Sequence, residues 1–418
     1  MIAERMGAYS PLVWRLFVFT VIVGVATGLP EIMFNFYLVS LGFDNSIAGQ
    51  MVSLTRISGF LFGIPLGLAV DRFGGVRTIQ FVGMVNIVTW LVLLNTTDIH
   101  VIRAGYFFAG VLFTAQATAI LPLLSKVTTP EQRPFLFGVN FALIMTTGII
   151  SALVGGSLPG IVAQLQGIEA TSVDAYRHAL YSSIVLTGLA IISLIGIHAR
   201  ISSPAAVARD HTDSADTAGS AIDDSIPRRY IVYRSLGRLT LGLAGGMLHP
   251  FLNLYLRQQY AFSDATIGIV IAVVSVASVV AGFASGSFIK RFGAQQTVVI
   301  ASAIAGCVMS VVLLPNPIIF MIAYTISMFL VGQVYPAGDV LILSTVGSQQ
   351  RGFTTSINNM LWSFGWAAAA SISGWLQVQS GFTWPIIAHC VCMALTALLF
   401  YVHQYPQHRS SAQLQATP

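Results

Sequence analysis

Charge is what this chain has least of. Of its 418 residues, 8% are Asp, Glu, Lys or Arg, while 55% are apolar. Soluble proteins carry about 25% charged residues. So few charges cannot cover a water-facing surface of this size, and the solvent expected for most of the chain is lipid. Cysteine is also scarce. Cys307, Cys390 and Cys392 all lie inside apolar runs. They supply neither a disulfide framework nor a zinc spacing and read as small buried hydrophobes. A phosphate loop, a dinucleotide loop, H-E-x-x-H and the nucleophile elbow G-x-S-x-G are missing too. Those absences argue against an ATP-driven pump or a membrane enzyme, and no cofactor or metal is expected. The net charge of +5 is small, and no basic run is interleaved with aromatics, so nucleic acid is not an expected partner.

What the chain does have is a series of apolar runs, each long enough to cross a hydrocarbon core of about 30 Å as a helix. Breaks at Gly, Pro, Asn and charged residues divide them into twelve candidate spans: 12–39, 46–70, 76–95, 101–125, 134–163, 176–199, 230–257, 265–289, 294–314, 318–346, 352–377 and 383–404. An open strand in lipid would leave backbone groups unpaired, so helices are required. The expectation is an all-α polytopic membrane protein of twelve transmembrane helices. The first apolar run is too long for a signal peptide and has no small-residue cleavage site before its polar turn, so it reads as a retained span. RISSPAAVARDHTDSADTAGSAIDDSIPRR, residues 200–229, has almost no large apolar residues and reads as a flexible linker. The expected organisation is a six-helix bundle over 1–199, the linker 200–229, a second bundle over 230–405 and a polar tail over 406–418.

The two halves repeat. At an offset of 218, Gly24, Gly28, Asn35 and Tyr37 meet Gly242, Gly246, Asn253 and Tyr255. One residue then enters the second copy, and at 219 Gly49, Gly67, Arg72, Phe73 and Gly74 meet Gly268, Gly286, Arg291, Phe292 and Gly293. The offset later returns to 218, where Arg133, Asn140 and Gly156 meet Arg351, Asn358 and Gly374. Even numbers of spans per copy make the repeats parallel, related by an axis along the membrane normal. With the N-terminus inside, the ends expected to face outward hold only Arg103, Arg177 and Arg257, and most other basic residues fall on the inner side. The positive-inside bias therefore predicts cytoplasmic termini, and a bacterial inner membrane is the expected location.

GLAVDRFGGVR, residues 67–77, closes the second span and opens the third; GSFIKRFGAQQ, 286–296, does so in the second half. With these loops in two sets of six spans, the chain resembles the major facilitator superfamily, whose loop signature is G-x-L-x-D-R-x-G-R-R. Gly67, Asp71, Arg72 and Gly74 match. Ala69 stands for the usual Leu, and Gly75-Val76 for the basic pair. The resemblance implies two pseudo-symmetric bundles, a monomer, and a small-molecule solute carried by alternating access at a site formed mainly by spans 1, 4, 7 and 10. It also implies that Asp71 faces the start of span 11, near Arg351. By symmetry Lys290 and Arg291 would face Glu131 and Arg133. Asp71 and Arg72 then read as latches. Gly59, Gly63 and Gly67, four apart, read as a smooth row for close helix approach.

Glu31 raises the sharpest question. Thr20, Gly24, Gly28, Glu31 and Asn35 share one face of the first span, and the matching stripe on the seventh is Arg238, Gly242, Gly246, His249 and Asn253. Glu31 and His249 are thus repeat-equivalent, each beside a proline that interrupts its helix. Glu31 lies eight residues from its outer end, roughly 12 Å, and Arg56 on the second span roughly 15 Å from its own. An ionised group so deep faces water or a partner. Either Glu31 pairs reversibly with Arg56 or with substrate and takes up a coupling proton, or the two form a permanent brace. Nearer the inner ends, Arg238 and Asp339 read as a second charge pair, again either a gate or a brace. Gln116, Asn140, Gln333, Tyr335, Asn358 and Trp362 complete the polar and aromatic candidates for the cavity.

The residues leave other readings open. An uncoupled facilitator, a drug or metabolite efflux antiporter, and a non-transporting scramblase or sensor would share the scaffold. Antiporters of the resembling family carry R-x-x-Q-G in span 4 and G-P-x-x-G-G in span 5. Here Arg103 has no such sequel, and GGSLPG at 155–160 has similar ingredients in a different order.

Overall fold

A computed structural model describes residues 11–129, 132–195, 228–343 and 351–402. Thirteen α-helices lie among them: α1 Pro11–Ser40, α2 Asn45–Phe73, α3 Gly75–Leu94, α4 Ile99–Lys126, α5 Arg133–Gln166, α6 Val173–Ser193, α7 Arg228–Leu248, α8 Leu252–Tyr260, α9 Asp264–Phe292, α10 Ala294–Ser310, α11 Pro317–Leu343, α12 Arg351–Ser380 and α13 Thr383–Val402. A 3-10 turn, His249–Phe251, joins α7 to α8, so these two helices make one broken span and the spans number twelve. Nine spans among the described residues are long and apolar enough to cross a membrane on those grounds alone. The other three, α2, α6 and α12, are 29, 21 and 30 residues long. The protein is an all-α, polytopic membrane protein.

The breaks have local causes. Pro250 has no N–H to offer the preceding turn and lies inside the 3-10 segment. Pro30 sits within α1 without ending it. Asp44 caps α2 by accepting from Ser46 N at 3.0 Å and Ile47 N at 3.2 Å. The duplicated loop motif has a duplicated structure. Gly74 and Gly293 take φ of +85° and +81°, a conformation that disfavours side chains. Gly74 N donates to Val70 O at 3.0 Å and Gly293 N to Ile289 O at 2.8 Å. Thr78 and Thr297 then return their hydroxyls to the glycine carbonyls, at 3.0 and 2.7 Å. Glycine is required here by the turn, which explains why it recurs in both copies.

Backbone contacts divide the chain into two units. The first holds α1–α6 together with Gly246–Val276 and Ala367–Pro385; the second holds the chain from Gly219 to Gly245, Ala277–Trp366 and the segment from Ile386 onward. In the first unit α1 packs on α5 and α6, and α4 packs on α2 and α3. Val13, Leu16, Phe19, Ile79, Leu123 and Leu136 form a core there. The second unit has its own core of Leu241, Ala244, Val298, Ala305, Val334 and Met393.

Within the first unit, the parts of α8, α9 and α12 remote from the termini pack against helices of the first repeat. Glycine permits this. A Cβ on Gly156 of α5 would stand 2.8 Å from Gly268 Cα of α9, and one on Gly374 of α12 would stand 2.6 Å from Asn45 O of α2. Gly49 abuts the Ala370 carbonyl, and Gly268 abuts that of Ala152. These contacts are repeat-equivalent: the α2–α12 crossing copies the α9–α5 crossing. The row expected to be a contact surface is not the tight one. Gly63, Gly67, Gly282 and Gly286 have open space beside them, and only Gly59 of that row meets a neighbour, Thr114 at 2.9 Å. Four-residue spacing gives a smooth face but does not say which helix lies against it.

Gly268→Val and Gly374→Val should each lower the unfolding temperature of the detergent-solubilised protein, at a cost of about 1–3 kcal/mol from overpacking. Gly63→Ala should stay within about 0.5 kcal/mol of the parent. Differential scanning fluorimetry of the three variants checks this.

Candidate functional site

The two repeats exchange hydrogen bonds at Asn35 and Asn253. Asn35 Nδ2 donates to Pro250 O at 2.8 Å and to Asn253 Oδ1 at 3.1 Å. Asn253 Nδ2 donates to Ile32 O at 2.9 Å. Each asparagine thus reaches the carbonyl three residues before the other, and the pattern maps onto itself at the repeat offset of 218. The helix break makes one acceptor available. In a regular helix Pro250 O would take the Leu254 N–H, but that N–H donates to Asn253 Oδ1 at 2.9 Å instead. Ile32 O has a second lone pair to give. Both asparagines are buried, at 7% and 3% exposure, against each other.

Glu31 and His249 flank this clasp. Glu31 precedes Ile32, and His249 precedes Pro250. Both are exposed although Leu29, Pro30, Ile32–Leu38, Met247, Leu248 and Phe251 around them are buried. Glu31 is exposed on a stretch of α1 whose neighbours are buried. Arg56 of α2 and the Tyr106 hydroxyl of α4 lie within electrostatic reach of the Glu31 carboxyl. Tyr106 is held by stacking on Phe34, with centroids 4.6 Å apart, and by the edge of Trp90 at 6.1 Å. The His249–Phe251 turn packs against α2, the helix that carries Arg56. The acid and the base thus lie within reach of each other, and the turn that carries the imidazole packs on the base's helix.

Beyond the clasp lies a second cluster that the sequence pattern did not reveal. Arg257 of α8 forms an ion pair with Asp264 of α9 and donates to Tyr176 Oη of α6 at 2.7 Å. Tyr176 donates in turn to Asp264 at 2.7 Å. The guanidinium lies 3.5 Å from the centre of the Phe36 ring. Asn45 donates to Gln258 at 3.1 Å and Gln377 at 2.9 Å, and Ser53 bonds to Ala367 O at 2.5 Å. Asp264 begins a helix and Tyr176 sits in the first turn of one, so by sequence both look like ordinary helix-end residues.

In the second unit Arg238 of α7 forms an ion pair with Asp339 of α11 and also reaches Tyr335 O at 3.4 Å. The guanidinium side is 7% exposed and the carboxylate side 59%. Trp362 Nε1 donates to Tyr335 Oη at 3.3 Å. Three amides hold hydrogen bonds to protein groups. Asn140 accepts from Thr20 at 3.0 Å, Asn358 donates to Thr354 O at 2.8 Å, and Gln333 donates to Ala281 O at 2.9 Å. All three are buried. Arg72, Lys290 and Arg291 are exposed, with Arg72 over Phe73 and Arg291 over Phe292 at matching distances of 5.6 and 5.4 Å. Arg133 opens α5, half-buried. Glu131 and the side chains of Asp71, Gln116 and Arg351 lie outside the described residues.

The chain thus has a twelve-span helical fold with a duplicated frame. Solved transporters share it at low sequence identity. A bacterial homologue of the iron transporter ferroportin, in an inward-facing state, superposes with a TM-score of 0.74 at 12% identity, covering 94% of this chain and 99% of the other. A D-xylose–proton symporter gives 0.72 at 13%, covering 93% and 97%. The nucleoside transporter NupG gives 0.68 at 15%, covering 94% and 98%. No curated protein sequence matches the chain. The sequence model of the Major Facilitator Superfamily matches residues 235–418. This match covers the second half of the chain, and the shared fold extends over nearly all of it.

Tyr176→Phe removes the hydroxyl that bridges Arg257 and Asp264. The expected cost is about 1.5–3 kcal/mol for hydrogen bonds to charged partners. Urea or thermal unfolding followed by tryptophan fluorescence reads it out.

Proposed function

We propose that the protein is a secondary active transporter that moves a small organic solute by alternating access, with a proton carried by Glu31. The observation that carries this reading is the setting of Glu31: exposed on a stretch of α1 whose neighbours are buried, and within electrostatic reach of Arg56. A membrane-embedded carboxyl is costly unless it meets water or a partner, and here it has access to both. Ionised Glu31 attracts Arg56. Protonation removes that attraction and frees the guanidinium for other contacts, which couples proton uptake to a rearrangement of α1 against α2. His249 faces the same clasp from the other repeat and can accept or pass on a proton.

The same reading assigns the remaining charges. Arg238–Asp339 tunes gating in the second repeat, and Asp71, Arg72, Glu131, Arg133, Lys290, Arg291 and Arg351 act as latches at the ends facing the termini. The two six-helix halves, 1–199 and 230–405, move against each other about the linker 200–229, with both termini cytoplasmic in a bacterial inner membrane. The fold shared with a proton symporter supports the class of mechanism and leaves the solute open.

In proteoliposomes, a solute panel scored by thermal stabilisation identifies the cargo, and accumulation should collapse on adding a protonophore. Glu31→Gln should abolish pH-gradient-driven accumulation while leaving counterflow exchange measurable; uptake by the variant that still follows external pH removes Glu31 as the proton site, and equilibration without accumulation, unaltered by protonophore, identifies a facilitator.

For the second pair, Asp339→Arg should reduce transport at least about tenfold, because it sets a like charge against the buried Arg238 guanidinium, and Arg238→Asp, which leaves a largely exposed carboxylate, should cost less. The combined swap should recover part of it. A swap no better than either single change shows that the pairing carries no function.

A further inference from the structure

The charges on the second repeat do not balance. Over residues 230–405 the acids are Asp264 and Asp339, and Asp264 is paired with Arg257. Arg234 and Arg238 stand one turn apart on α7 and are 6% exposed each. A positive anchor at a membrane surface reaches water, as Lys290 and Arg291 do, and these two do not. Arg234 donates to Leu341 O at 2.8 Å, a neutral acceptor. Asp339 pairs with Arg238, and its side chain is 59% exposed. Buried guanidiniums with so little resident negative charge are costly in a membrane, and such groups mark the path of a charged solute. The pair is also half complete. Arg238 Nη2 donates to Asp339 Oδ1. Nε lies on the same edge of the guanidinium and is buried without a hydrogen-bond partner among the described residues. A carboxylate facing that edge squarely takes both N–H groups, the bidentate form that suits arginine to planar anions. Asp339 takes one of them. At the repeat offset Arg238 falls on Thr20, which makes a neutral bond to Asn140, so the arginine is no part of the duplicated frame.

We propose that the solute is an organic anion bearing a carboxylate, that Arg238 recognises it, and that Asp339 is the stand-in that holds the guanidinium when no solute is bound. The proposal deepens the transporter reading and rests on it for its purpose. The arriving carboxylate takes Nε and Nη2 together, satisfies the orphaned donor and displaces Asp339, whose side chain already reaches solvent. Arg234, one turn away, adds attraction without contact. The guanidinium lies against α11 at Gly338, where a Cβ would stand 3.4 Å from Nη2, so the exchange takes place on the helix that carries Asp339. When the solute leaves, Asp339 returns to Nη2, and the buried charge is never left without a partner.

The test reads binding and needs no transport. Detergent-purified protein is titrated with benzoate, 3-phenylpropionate and pentanoate, each beside its primary amide, at constant ionic strength, with melting temperature and calorimetric heat as readouts. The acids should bind and stabilise, and the amides should do neither. Arg238→Lys keeps the charge and the attraction to Asp339 but has no planar edge, so it should weaken acid binding about tenfold, equivalent to about 1.4 kcal/mol. Asp339→Asn removes the competing charge and should tighten acid binding by about the same factor. A static brace predicts that Asp339→Asn lowers the melting temperature and brings no gain in acid affinity. Equal responses to acids and amides, acid binding indifferent to Arg238→Lys, or no gain in Asp339→Asn overturns the proposal. Transport then separates this inference from the reading beneath it. In proteoliposomes, accumulation of a neutral or cationic solute without competition from the acids overturns the anion assignment and leaves the transporter reading standing. Acids that bind through Arg238 and are never carried leave the site standing and overturn the transporter reading.

Discussion

Everything around the candidate site depends on one constraint: a backbone carbonyl in lipid must be satisfied by protein. Where α7 gives way to α8, the regular ladder is interrupted, and the freed Pro250 carbonyl finds its donor on the other repeat. Asn253 repays the contact at Ile32 O. The break and the clasp are therefore one structure. Span 7 can be interrupted at the level of His249 because span 1 supplies an amide there, and the interruption is what leaves His249 exposed among buried neighbours.

Helices in lipid gain little from the hydrophobic effect when they associate, so close packing and a few polar bonds do the holding. Both occur at the same crossings. Gly156 on Gly268 and Gly374 on Asn45 bring backbones together, and Asn45, Ser53, Tyr176 and Arg257 add hydrogen bonds at the same level. Each glycine contact has its repeat-equivalent, and among the polar groups Asn45 falls on Asp264, where an acid stands for the amide. Duplication thus preserved the steric frame, and the charged chemistry diverged on it.

Much of the frame was readable from the sequence. The spacing of apolar runs places the helices to within a few residues: 46–70 for α2, 76–95 for α3, 383–404 for α13. The constant offset identifies Gly74 and Gly293 as the same turn. The face shared by Glu31 and Asn35 follows from helical spacing alone. Partners were harder to read. Helical spacing gives no reason for Asn35 to be buried on Asn253 while Glu31, four residues earlier, stays open. The Gly59–Gly67 row looked like the tight seam because spacing describes a face and not its neighbour. Tyr106, Tyr176 and Asp264 were invisible because a tyrosine in an apolar helix and an acid at a helix start are ordinary by local rules. Asn140, Asn358 and Gln333 were read as cavity groups; each bonds to a protein group, Asn358 to a carbonyl of its own helix, and an amide has the same spacing whether it serves a solute or a carbonyl.

The asymmetry on this symmetric frame bears on mechanism. At the repeat offsets Glu31 falls on His249 and Arg56 on Ser275, whose hydroxyl bonds to Ile271 O of its own helix at 2.8 Å. The second repeat thus has no counterpart to the acid–arginine pair beside the clasp. Conversely, Arg238 falls on Thr20, which makes a neutral bond to Asn140. The second repeat keeps its ion pair further toward the termini, and the first repeat has none there on α1. A two-fold axis along the membrane normal leaves the two membrane faces distinct, so groups at different depths report to different sides. On the transporter reading, titrating Glu31 acts next to the clasp and leaves Arg238–Asp339 intact, while an event at Asp339 leaves the clasp intact. Two perfectly matched halves would place the same charges at the same depths and change both walls of one level at once. Divergence of the copies leaves each repeat with its own charged residues on a shared steric frame.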